Sequence, residues 1–105
     1  MTCPFVIARA VETCGGLPAQ WDAWTTDGQY LYLRYRHGLG TVNAEPSPNW
    51  MTWTESSRIA SFDTGDSLDG GMGLAEFCER AGLVLGDGFE HVPYAQYVEQ
   101  EMRRP

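Results

Sequence analysis

Residues 29–38, QYLYLRYRHG, hold the densest set of side chains in this sequence able to recognise another molecule. Read as a strand, the stretch puts Leu31, Leu33 and Tyr35 on one face and Tyr30, Tyr32, Arg34 and Arg36 on the other. Phenol rings beside planar guanidinium groups stack bases in single-strand binders and form hot spots in protein interfaces. A hairpin turn at Asp27-Gly28 would set Trp21 across from Arg34, so Trp21 joins the row as a cation–π partner. The plainer account is a solvated outer strand face, or a face covered by helices.

Other candidate chemistry is thinner. Asp63, Asp66 and Asp69 lie three apart in a glycine-rich stretch, and loops of this kind offer oxygen ligands to hard cations. The D-x-D-x-D-G spacing and the glutamate at the twelfth position are both missing, so no metal is expected. His37 or His91 with Cys14 or Cys78 could form a base and a nucleophile, which would make the chain an enzyme of unidentified type. No spacing supports that pairing. G-x-S-x-G, H-E-x-x-H, the P-loop and G-x-G-x-x-G are all absent, and no cofactor is expected. From Asp63 to Glu101 nine acids face one arginine, Arg80. An acidic surface of Asp63, Asp66, Asp69, Glu76 and Glu79 could dock on a basic partner, although the solvated faces of two helices are the simpler account.

Composition bounds these readings. The 105 residues suffice for a single globular domain, 1–105, with one core. Hydrophobic content of 43% fits a folded chain. The formal charge is −7, and residues 54–105 carry most of it, with ten acids against four arginines. A phosphate backbone repels such a chain unless its few cations cluster, so nonspecific nucleic-acid binding is not expected. All basic residues are arginine, as in a GC-rich genome. No apolar run approaches the length of a membrane span, and MTCPFVIARAVE does not read as a signal peptide, which places the chain in the cytoplasm. Three scattered cysteines, Cys3, Cys14 and Cys78, suggest neither a disulfide framework nor a zinc ribbon.

The elements that must position the Tyr-Arg row follow from pattern. TCPFVIARAVETCGG has apolar residues at helical spacing (Cys3, Val6, Ile7, Ala10, Val11, Cys14) and predicts a helix, although Val and Ile also favour a strand over Phe5 to Ala8. A two-residue Asp27-Gly28 turn sets Trp24 opposite Leu31, and a Gly38-Leu39 turn sets Leu33 opposite Ala44. WMTWTESSRIASFD predicts a fourth strand or a bent pair. LAEFCERAGL predicts a helix with Leu74, Phe77, Cys78 and Ala81 inward and Gly82 in the left-handed position after it. VPYAQYVEQEMRR predicts a last helix.

The expected fold is therefore α+β: an antiparallel meander of about four strands, with an N-terminal helix and two C-terminal helices packed on one face. The expected function is non-catalytic binding of a protein partner, in the manner of an adaptor or inhibitor, through Trp21, Tyr30, Tyr32, Arg34 and Arg36. A compact arginine-only chain also suits an accessory, phage-type protein. A single-stranded nucleic-acid binder using the same face is the runner-up. An uncovered sheet edge at TVNAE could also pair with a second copy.

Overall fold

The computed structural model describes residues 5–14, 19–53, 57–65 and 71–102. Six strands form one mixed sheet, and two short helices accompany it. The strands are β1 (Val6–Glu12), β2 (Ala19–Thr25), β3 (Tyr30–Arg36), β4 (Leu39–Glu45), β5 (Arg58–Asp63) and β6 (Val84–Val92). A single 3₁₀ turn, Trp50–Thr52, lies between β4 and β5. Helix α1 (Leu74–Ala81) precedes β6, and α2 (Tyr94–Met102) follows it. The strand order is β5-β4-β3-β2-β1-β6, antiparallel throughout except for the parallel β1–β6 pair.

The sheet is thus larger than a four-strand meander, and among the described residues a strand stands in place of the N-terminal helix. β1 occupies the segment where helical spacing predicted that helix. Its register slips at Ala8, between Ile7 and Arg9, on both sides of the strand. The bulge lets Ile7 and Ala10, three apart, both enter the core, which imitates the spacing of a helix face. β6 went unpredicted because VLGDGFEHV carries two glycines and an aspartate, all poor strand formers. Those glycines fit the distortion. Four residues, 86–89, oppose the single Ala8, and Gly88 sits at φ +71°. A Cβ on Gly86 would lie 3.0 Å from the Ile7 carbonyl.

One face of the sheet carries the core: Ile7, Ala10, Trp21, Ala23, Leu31, Leu33, Tyr35 and Val42, covered by Leu74, Phe77 and Cys78 of α1. Phe77 stands 5.5 Å from the Trp21 ring and 5.1 Å, edge-on, from Phe62. Helix α1 stops as expected. Gly82 is left-handed at φ 79°, its N–H donates to Glu79 O, and Leu83 N–H folds back to Cys78 O (2.8 Å). α2 lies beside β1, where the Tyr94 N–H donates to Glu12 Oε1 (3.2 Å). The expected edge at TVNAE is not an edge, because β4 is paired by β5 along Leu39–Asn43. No described helix is long and apolar enough to cross a membrane.

Candidate binding face

The second sheet face is organised by β3. Tyr30, Tyr32, Arg34 and Arg36 lie on it together, as alternation requires, but Trp21 does not. Trp21 is 1% exposed and belongs to the core. The turn before β3 is one residue longer than expected: Thr26, Asp27 and Gly28 connect Thr25 to Gln29, with Gly28 at φ 90° and its N–H donating to Thr25 O (3.0 Å). One extra residue shifts the pairing by one and turns β2 over. Trp24 therefore opposes Tyr30, Trp21 opposes Leu33, and Gln20 opposes Arg34. The polarity of β2 carried this signal. The expected register would bury Asp22, whereas the observed one turns Gln20, Asp22 and Trp24 outward and Ala19, Trp21 and Ala23 inward.

The second hairpin is a two-residue His37-Gly38 turn with φ of 55° and 76°. It brings Leu33 opposite Val42 rather than Ala44. That difference is two residues, so the inward and outward faces survive it.

Two different environments result along β3. At its start, Tyr30 is 3% exposed, and its hydroxyl donates to Asp22 Oδ1 (2.5 Å). Tyr32 donates to Gln20 Oε1 (3.0 Å). Trp53, carried by the β4–β5 connection, lies over both tyrosines, 4.7 Å from the Tyr32 ring and 6.3 Å from the Tyr30 ring. Its indole N–H donates to Ser47 O (2.7 Å), which fixes the ring in place. Trp24 closes the other side at 5.6 Å from Tyr30, and the Arg9 guanidinium sits over Trp24 while pairing with Glu90. Burial raises the Asp22 carboxyl above the usual carboxylate range, although the Tyr30 hydroxyl partly opposes this. Burial also raises both phenols, with Asp22 adding to the effect on Tyr30 and Arg34 opposing it on Tyr32. Beneath this cluster Glu45 is 3% exposed and accepts the Ser57 hydroxyl (2.6 Å). The tyrosines are the interior of a small second core.

At the end of β3 the face is open. Arg34, Arg36 and Arg58 line a depression of about 570 Å³ with His37, Leu39 and Asp63 on its rim. An adjoining hollow of about 440 Å³ runs from Arg34 and Arg58 to Tyr32, Glu45 and Trp53. None of the three arginines makes an ion pair among the described residues. The Nε of Arg34 is buried without a hydrogen-bond partner among the described residues. Sequence reading missed Arg58, since simple alternation would place it with Ala60 and Phe62 on the core face. A register shift between Val42 and Asn43 sets it opposite Asn43, on the outer face.

Of the remaining candidates, His37 and Asp63 border the arginine depression and the others stand elsewhere or outside the described residues. Asp66 and Asp69 lie outside the described residues, and so does Cys3. Asp63 is exposed and accepts the Gly65 N–H (2.8 Å). Glu76 and Glu79 are exposed on α1, and Glu76 pairs with Arg80 one turn on. Among the described residues no group of His, Cys, Asp and Glu could hold a metal ion. Cys78 is buried beneath the sheet, and burial pushes its thiol up to about 11, the opposite of what a nucleophile needs. His37 and His91 are exposed on a turn and on β6. The outer face of the mixed sheet thus presents a covered tyrosine end and an open arginine end. Comparison of the chain with protein families, curated proteins and solved structures returns no match.

Proposed function

We propose that this chain is a binding module, adaptor-like or inhibitor-like, whose contact is the arginine end of the outer sheet face. Its partner is a protein presenting carboxylates. One observation carries the reading: in a chain of net charge −7, Arg34, Arg36 and Arg58 converge on one open depression with no ion pair among the described residues. Guanidinium groups grip carboxylates through paired N–H donors, and the exposed Leu39 beside them offers apolar contact. The nucleic-acid reading loses its main support here. Bases would need free aromatic faces, and Trp53 covers Tyr30 and Tyr32. The free thiols of Cys14 and Cys78 suit a reducing compartment such as the cytoplasm.

Affinity capture from nuclease-treated host lysate tests the proposal, comparing the natural chain with the Arg34→Ala/Arg36→Ala variant. The expected outcome is a protein retained by the natural chain and lost from the folded variant. Equal capture by both removes the arginine face from consideration. A labelled single-stranded oligonucleotide titrated at two salt concentrations should show no binding at micromolar protein.

A further inference from the structure

The sheet ends in two edges of very different quality. β6 is broken by the four-residue excursion at 86–89 and by Gly88 in the left-handed region, so it offers no regular template to another strand. β5 is regular from Ala60 to Asp63. Ala60 pairs with Val42, Phe62 pairs with Gly40, and the Thr64 N–H donates to Gly38 O (2.8 Å). These residues therefore direct their backbone groups toward β4. By the alternation of an antiparallel ladder, Ser61 and Asp63 direct theirs away from the sheet, and among the described residues no strand lies beyond them.

The residues along this edge complement themselves. β5 reads RIASFD, with a cation at one end and an anion at the other. Among the described residues Arg58 has no ion pair, and the Asp63 carboxylate accepts the Gly65 N–H and pairs with no cation. We propose that β5 pairs antiparallel with β5 of a second copy about a twofold axis at Ser61, joining two six-stranded sheets edge to edge. Ser61 then opposes Ser61 of the second copy, and the two exchange both backbone hydrogen bonds. Ala60 opposes Phe62, which carries the row of Tyr35, Phe62 and Phe77 across the join on the core side. On the outer side Asp63 comes opposite Ile59 of the second copy, with Arg58 one residue further along the same strand and within reach diagonally, twice by symmetry. A second copy is the occupant that this charge order selects, because antiparallel self-pairing alone sets the two unlike ends side by side. In the dimer Arg58 turns to the join, so Arg34 and Arg36 alone stay open to the acidic partner on the continuous outer face. The dimer does not depend on the acidic partner proposed above.

Sedimentation equilibrium over a concentration series tests this without reference to that partner. The natural chain should reach twice its 11.7 kDa mass. Ser61→Arg, which sets two cations face to face on the axis, should remain monomeric with an unchanged circular dichroism spectrum. Arg58→Asp and Asp63→Arg should each raise the dimer Kd by about tenfold through like charges across the join. The double exchange Arg58→Asp/Asp63→Arg should restore it, a recovery that misfolding cannot mimic. A natural chain that stays monomeric throughout, a dimeric Ser61→Arg, or a double exchange without recovery would each overturn the proposal.

Discussion

The two ends of β3 face the same way and yet do different things. At one end Tyr30 and Tyr32 have their hydroxyls bonded and their rings covered by Trp53. At the other end Arg34 and Arg36 stand over an open depression, without a carboxylate in salt-bridge contact among the described residues. A strand's alternation decides which residues share a face. What lies over that face decides whether they stabilise the protein or remain available to a partner. The tyrosine end is structure, and the arginine end is surface.

Breaking the closed end should have the largest effect on stability. Trp53→Ala uncovers both tyrosine rings and should cost about 2 kcal/mol in chemical denaturation, below the range for a fully buried aromatic. If stability is unchanged, the ring does not hold this end closed. Next is Tyr30→Phe, which removes the donor to Asp22 and should cost about 1–2 kcal/mol at neutral pH.

The pH dependence of that end sharpens the contrast. Asp22 has a raised carboxyl pKa in the fold, so the folded state favours its neutral form. Its contribution to stability is therefore present in acid and is lost as pH rises through the carboxylate range. Asp22→Asn keeps an acceptor for Tyr30 and removes the charge. The variant should match the natural chain in acid and gain on it toward neutral pH; a constant difference across that range would refute the assignment. The smallest effect belongs to the open end. Arg34→Ala/Arg36→Ala should leave thermal stability within about 0.5 kcal/mol of the natural chain, as surface changes usually do. A large loss would mean that these arginines are structural after all.

Much of the local structure was legible beforehand. The faces of β3 followed from alternation, and the stop of α1 followed from Gly82-Leu83. Where reading failed, the cause was a bulge or a loop length. The slip at Ala8 gave β1 the period of a helix, one added turn residue turned Trp21 into the core, and the shift before Ala60 turned Arg58 out of it. These are single-residue events that reverse every side chain beyond them, and composition does not register them. β6 was hidden because its glycines serve the tertiary fold: Gly86 lets the strand approach the Ile7 carbonyl of β1 and Gly88 takes the left-handed conformation of the excursion. The candidate site was half legible for the same reason. Arg34 and Arg36 were found by alternation, whereas Arg58 and the cover provided by Trp53 were not.

By itself, then, the sequence determined what depends on near neighbours: that the chain turns back near Asp27-Gly28 and again near Gly38, though not the loop length or register of either turn, the two faces of β3, the end of α1, and a net charge that disfavours phosphate backbones. Tertiary structure alone decided sheet size, strand order, and which part of the Tyr-Arg row is sealed. Those depend on contacts between distant segments, Trp53 on Tyr32 and β6 on β1, whose energy exists only once the chain has closed on itself.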